Sequence, residues 1–427
     1  MLDLNPLNVS MIITAPVVDN AFKISVNTEN LGGSGSATKT FVLPAVGGPF
    51  DITDWGDGSS DLAVSGSQTH VYSATGTYTI TINKITNNFR PCWFNDEGDE
   101  LKIIDIENWG NIVWDTGSEI FRGCTNLDIS ATDNPDFSAI TTMWAAFYNC
   151  TSITRHCTYN APLCANWSYS FYGNMMTTLP LPDTSANTTF QAIFTKCYDL
   201  TSVPKLVFPS GITNFASFFQ ECKSITSYHS EWDFSSGELF DYAFYFNESC
   251  TSYPSEWDFS SATGARAMFR ANYETTSFPS GWDFSSVTNA KEMFRDCTSL
   301  TSLTAYSFNS TTFELLCYGN SAMANIPNFP TSGQVDNFKN AFRNMGSIDM
   351  PSFTLNMRAM TDGYAVFSGS TLATAAYQLL IIDLNTNNSN TGVTFHGGNA
   401  SLDGDATAEA ARTNLVNVKS WTITDGD

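Results

Sequence analysis

The chain has 427 residues, of which 14% are aromatic, including 32 phenylalanines, and only 14% are charged. Forty-two acids against 19 bases give a net charge of -23, a surface that repels phosphate backbones, excludes nucleic acid as the expected partner, and favours basic partners or divalent cations. The length holds two or three units with sizeable cores, and no run of 18 apolar residues offers a membrane-spanning helix, so membrane insertion is not expected.

In chain order, residues 1–15 read as an arm or first strand. They lack the basic start and apolar core of a signal peptide, and the end of the chain shows no wall-sorting signal. Residues 16–90 change to β patterning with Gly and Ser turns: Phe22-Lys23-Ile24-Ser25-Val26, Phe41-Val42-Leu43 and Tyr78-Thr79-Ile80-Thr81-Ile82 alternate as strands of a small antiparallel sandwich. Within it, Gly56 and Gly58 permit a tight turn in Asp54-Trp55-Gly56-Asp57-Gly58, and Trp55 and Tyr78 are expected in the core. Asp54, Asp57 and Asp61 are candidate cation ligands, although acids in a turn are more often capping groups. His70 reads as a hydrogen-bonded strand residue. Together with His70-Val71-Tyr72 and Gly76-Thr77-Tyr78, this turn resembles the hallmark of the PKD-type immunoglobulin-like domain.

Residues 91–120 form a junction, with Leu101 to Ile106 as a strand and Trp109 to Trp114 as a turn into the next unit, whose exposed end it would cap. From residue 121 to 385 one unit repeats. Trp-Asp-Phe-Ser-Ser occurs at Trp232–Ser236, Trp257–Ser261 and Trp282–Ser286, each 25 residues after the last. A phenylalanine anchor recurs at Phe121, Phe147, Phe171, Phe194, Phe219, Phe244, Phe269, Phe294, Phe342 and Phe367, with Cys317 in the remaining slot. Such a period means a stacked array, since one copy cannot bury its own apolar face. In the copy from 282 to 306, Ser285 and Ser286 read as N-caps, and Val287, Ala290, Met293 and Phe294 fall at helical spacing. Leu300 and Leu303 then suggest a short strand.

Met293-Phe294-x-x-Cys297-x-x-Leu300 after Asp283 resembles the BspA-type leucine-rich repeat of bacterial surface proteins, a form also found in phage proteins. The resemblance implies an α+β repeat fold: a PKD-like β-sandwich followed by a leucine-rich-repeat solenoid of about eleven ~25-residue coils, roughly 50 Å long at ~4.8 Å per strand. Two copies depart from it, with Ala271-Asn272 and Gly173-Asn174 where cysteine belongs. Residues 386–427 read as a C-terminal cap, with a helix over Ala406 to Val416 and a strand over Trp421 to Thr424; Ala411, Arg412, Leu415 and Trp421 to Gly426 resemble the ending of viral copies of the family.

Six of the ten cysteines follow anchors, and one small buried thiol per coil reads as a packing ladder rather than a disulfide set. No Cys-x-x-Cys pair suggests zinc, and no nucleotide loop or His-Glu-x-x-His motif suggests a cofactor or catalysis. Trp232, Trp257 and Trp282 are candidate binding residues on an array face, able to grip a glycan or protein partner; core packing is the favoured reading of a fixed aromatic slot. The sequence thus points to a non-enzymatic phage virion protein of fibre or decoration type. Its expected partners are other virion proteins and a host surface glycan or protein. A bacterial cell-surface adhesin is the alternative.

Overall fold

The computed structural model describes residues 19–31, 35–86, 89–154, 158–178, 185–203, 205–304, 306–326, 329, 335–348 and 357–426. The expected arm at residues 1–15, together with His156 and Cys157, lies outside them.

The N-terminal alternation produces β1 (Phe22–Asn27), β2 (Thr40–Leu43), β3 (Val46–Gly47), β4 (Phe50–Asp54), β5 (Asp61–Val64), β6 (Gln68–Val71), β7 (Thr77–Lys84) and β8 (Phe89–Arg90). The strand expected at Leu101–Ile106 forms as β9 (Ile103–Asn108), and β10 (Asp128–Ile129) follows it. One six-stranded sheet runs in the order β10-β9-β1-β7-β4-β5, while β2 pairs with β6 and β3 with β8. Phe22, Ile24 and Val26 of β1 and Ile80 and Ile82 of β7 turn inward, where Phe41, Leu43 and Trp55 complete a fully buried core. Because β9 lies antiparallel to β1 and parallel to β10, this sheet continues directly into the first layer of the repeat.

A buried ion pair fixes that continuity. Lys102 Nζ lies 3.0 Å from Asp99 with both side chains fully enclosed. The ammonium also donates to the carbonyls of Ser36, Ala37 and Thr40 at 2.9, 3.2 and 2.7 Å. Asp99 in turn accepts the Ser36 amide and the Val42 amide, each at 2.7 Å. A charge pair removed from water survives only when its remaining donors and acceptors are met in this way.

The repeat corrects the expected α+β leucine-rich-repeat solenoid. Between β10 and Gly346 the described residues contain no helix and no strand beyond single bridged residues, and the chain is mainly β and turn. The cause is a pair of left-handed residues bracketing every anchor. Glu292 (φ 61°) and Asp296 (φ 60°) flank Phe294, Tyr242 and Phe246 (both φ 60°) flank Phe244, and the same two positions have positive φ at all the other anchors. A right-handed helix cannot pass through either residue. Instead, alternate amides divide their work. Glu292, Phe294 and Asp296 donate to Glu314, Leu316 and Tyr318 carbonyls one layer on, at 3.1, 3.0 and 2.7 Å, while Met293 and Arg295 close turns on Ala290 and Glu292. Single parallel bridges, Leu239 to Gly264 and Gly264 to Asn289, mark the register. Val287, Ala290, Met293 and Phe294 are all buried, so the helical spacing reported the inward face correctly and the wrong element. The strand expected at Leu300 to Leu303 does not form.

Anchor rings stack along the core, at 5.9 Å for Phe147 and Phe171, 5.6 Å for Phe244 and Phe269 and 6.0 Å for Phe269 and Phe294. Burying each such ring contributes roughly 1.5–3 kcal/mol. Three residues past the anchor, a polar interior row ties layers together. The Cys150, Cys197, Cys222 and Cys297 thiols donate to the carbonyl of an anchor in an earlier layer, Cys222 to Phe194 at 3.0 Å, and Ser370 donates likewise to Phe342 at 2.8 Å. Asn247, Asn272 and Asn320 hold the amide of the preceding layer's equivalent residue at 2.8–3.0 Å. The copy with Asn272 is therefore not degenerate; asparagine bonds the backbone in cysteine's place.

The C-terminal part contains β11 (Gly346–Ile348), β12 (Ser370–Leu372), α1 (Thr374–Asn387), β13 (Thr394–His396), α2 (Ala406–Asn417) and β14 (Thr422–Thr424). The helix expected over Ala406 to Val416 forms as α2, one residue longer than its pattern. Asp405 caps α2 by accepting the Ala408 amide at 2.8 Å. Arg412 then grips buried Asp425 through two bonds of 2.9 and 2.8 Å, holding α2 against β14.

Candidate interaction face

The left-handed brackets decide which side chains leave the stack. With the anchor turned inward, the residues three before and one after it point outward in most layers, with Ser168 and Thr195 the buried exceptions, and in successive layers they form rows. The bases collect on these rows. Arg122, Arg266, Arg270, Lys291, Arg295, Lys339 and Arg343 lie there, and Lys196 and Lys223, two and four residues past their anchors, reach over the Tyr172 and Phe246 rings, which gathers nine of the chain's 19 bases into one band.

Tyrosines alternate with them. Arg122 lies over Tyr148 at 5.3 Å, Tyr148 stacks on Tyr172 at 4.4 Å, and Lys196 covers Tyr172 at 5.5 Å. Further along, Lys223 sits 4.4 Å from the Phe246 ring, Arg270 lies over Tyr245 and Arg295 over Tyr318, at 5.5 and 4.8 Å. Glu292, buried, bridges two layers by pairing with Arg295 of its own layer at 3.2 Å and with Arg270 at 2.6 Å and Arg266 at 3.7 Å of the preceding one. Lys291 pairs with Glu314 at 3.0 Å. Burial, then the neighbouring Tyr172, raises the Tyr148 hydroxyl, and the hydrogen bond to Tyr172 raises Lys196, so the Tyr148 ring stays neutral and the ammonium stays charged. The result is a near-neutral, aromatic and guanidinium-rich band on a molecule of net charge -23.

Trp232, Trp257 and Trp282 are elsewhere. They are 2%, 2% and 4% exposed and stack on each other at 5.9 and 6.2 Å, with interplanar angles of 9° and 5°. Trp257 and Trp282 donate their indole N–H to the His229 and Pro254 carbonyls, both at 3.1 Å. Their faces are covered by one another, which leaves no ring surface for a glycan or protein; they pack the core. Asp233, Asp258 and Asp283 beside them accept the amide two residues on, as turn residues do.

Asp54, Asp57 and Asp61 each face a different partner. Asp54 accepts the Gly56 and Gly58 amides, Asp57 the Ser59 amide and hydroxyl, and Asp61 the Trp55 indole N–H at 2.9 Å. Among the described residues no three acids, histidines or cysteines group as metal ligands. His70 stacks on Trp55 at 4.7 Å and meets Asp57 through Nε2 at 2.9 Å. Ser59 approaches that same nitrogen at 3.5 Å, so serine, histidine and carboxylate share one ring atom instead of lying in relay, an arrangement that orders a turn and does not activate a hydroxyl. The nine described cysteines are free and buried, and burial pushes thiols such as Cys164 and Cys297 up to about 12, which leaves them unreactive.

Sequence reasoning did not find this candidate face. Its signal was present: the residue one after the anchor is Arg or Tyr at Arg122, Tyr148, Tyr172, Tyr245, Arg270, Arg295, Tyr318 and Arg343.

Residues 115–207 and 188–308 are similar to a family described as Mycoplasma protein of unknown function, DUF285. The two matches together cover residues 115–308, less than half of the chain, and all but the first six of those residues lie in the repeat. No curated protein and no solved structure matches.

Proposed function

We propose that this chain is a non-catalytic binding protein that presents its Arg/Tyr band to a macromolecular partner. The supporting observation is the concentration of nine of 19 bases, interleaved with tyrosines, on one face of a molecule with net charge -23. Arg and Tyr are the residues that anchor protein interfaces, because each offers broad contact area at low entropic cost together with directed hydrogen bonds. The stack suits display, since backbone bonds between layers hold the rows in fixed register.

The proposed setting is a phage particle, in which the chain serves as a fibre or decoration component contacting host or environment. The resemblance of Ala411 to Gly426 to viral endings supports it. Mass spectrometry of purified particles tests this setting, and recovery only from host membrane or wall fractions would exclude it. A second reading, a bacterial surface adhesin, is favoured by the matched family's description from Mycoplasma. For either setting, the paired change Tyr245→Ala and Arg270→Ala is expected to abolish adhesion while the chain still folds; unchanged adhesion would remove the band from consideration.

A further inference from the structure

The row three residues before the anchors runs through Arg266, Lys291, Glu314, Lys339 and Tyr364 and ends at the C-terminal cap. There the next layer is supplied by β13, where Gly363 donates to Thr394 at 2.9 Å, and no anchor turn continues the row. A cleft of about 590 Å³ opens at this end, lined by Lys339, Thr361, Asp362, Tyr364, Gly392 and Thr394. That volume falls within the range of roughly 300–1,000 Å³ that holds small ligands.

Two features set this cleft apart from the rest of the band, and a third it shares with every layer. Tyr364 is 53% exposed, more than any other described Trp, Tyr or Phe. The other bases of the band are ion-paired, as Arg270, Lys291 and Arg295 are, or lie over a tyrosine, as Lys196 and Arg343 do, whereas among the described residues Lys339 has neither an acid nor a ring as partner. The walls are also fixed in advance: Phe338 donates to the Asp362 carbonyl at 2.8 Å, Asn340 to the Tyr364 carbonyl at 2.9 Å, and the Asp362 carboxylate accepts the Tyr364 amide at 2.9 Å.

We propose that this cleft binds a neutral saccharide unit, its apolar ring face on Tyr364 and its hydroxyls shared among Lys339 as donor, Asp362 as acceptor and the Thr361 and Thr394 hydroxyls. An exposed aromatic ring beside fixed donors and acceptors matches a sugar, which is apolar on one face and polyhydroxylated at its rim. One ammonium and one carboxylate in the same cleft oppose a charged ligand of either sign, and the chain's charge of -23 adds to the penalty on an anionic one. The proposal rests on the binding reading above and gives it a ligand class.

Saturation-transfer NMR of the full chain with lactose, maltose, N,N′-diacetylchitobiose and 3′-sialyllactose tests it. Saturable binding of at least one neutral probe is expected, with Tyr364→Ala weakening it about tenfold and Lys339→Met less, while Trp144→Ala, on the same row at the opposite end, leaves it unchanged. Tyr364→Phe keeps the ring and is expected to retain binding, which separates loss of the platform from loss of the fold. Binding of no probe, of 3′-sialyllactose alone, or of all variants equally would overturn the assignment. If the probes fail while adhesion still depends on Tyr245 and Arg270, the band stands and only the cleft is wrong.

Discussion

The N-terminal sheet and the repeat stack bury aromatic residues to the same degree but by opposite means. In the sheet, each contact is made once: Ile24 opposite Ile80, Trp55 against His70, Lys102 enclosed with Asp99. In the stack every contact recurs, and the hydrogen bonds that hold Phe294 are those that hold Phe244 and Phe269. Unique contacts concentrate stability in a few residues, whereas repeated ones spread it over layers, so the two regions should fail differently.

The largest expected effect lies in the stack. Deleting residues 257–281 removes one period, and the carbonyls after the cut then meet the amides before it in unchanged register. The shortened chain is expected to remain soluble and to unfold cooperatively in urea. Deleting only 257–268 puts left-handed residues opposite the wrong carbonyls, and loss of cooperative folding is expected. Equal behaviour of the two deletions would show that the layers are not interchangeable.

In the sheet a single side chain should matter almost as much. Lys102→Ala leaves Asp99 buried without its countercharge and strips four hydrogen bonds from residues 36–40. A loss of about 3–5 kcal/mol is expected from urea denaturation, against less than about 1 kcal/mol for the exposed Lys205→Ala.

This contrast also explains what was legible in the sequence. Strands β1 and β7 were readable because alternation is a property of strands alone, and α2 because Ala408, Ala411 and Leu415 recur on one face. The stack was readable as a repeat and not as an element. Its inward residues recur at intervals of three and four, as in a helix, and the left-handed position before the anchor is filled by Glu119, Ala145, Tyr169 and Glu292, none of which signals positive φ. The position after the anchor does carry a signal, in Gly123, Asn149, Gly173, Gly319, Asn344 and Gly369. The Trp trio recurred conspicuously because it packs, while the interaction face was hidden by its mixture of Arg, Tyr, Thr and Gln in one slot.

A smaller effect distinguishes packing from hydrogen bonding within the interior row. Cys222 donates to the Phe194 carbonyl as Ser370 does to Phe342. Cys222→Ser should therefore hold stability closely, whereas Cys222→Val leaves the Phe194 carbonyl with only the longer 3.4 Å bond from the Cys197 amide, at a cost of about 0.5–1.5 kcal/mol, with Cys222→Ala as the control for crowding. Equal losses for Ser and Val would reduce the row to packing alone.

The smallest effect concerns acid. Hydrogen bonds from Ser59, then from His70, hold Asp57 down at about 2. The folded value lies below the ~3.9 of an unfolded aspartate, so this contribution is complete above that pH and is lost as pH falls from about 4 toward 2. Asp233, in a turn of the stack, is likewise lowered by Ser235, but it has no second partner of the His70 kind. Asp57→Asn is therefore expected to flatten the decline of the urea midpoint between pH 4 and 2 more than Asp233→Asn does. Equal flattening would mean that the serine bond alone sets both carboxylates, and that the sheet domain's turn is no more specialised than a layer of the stack.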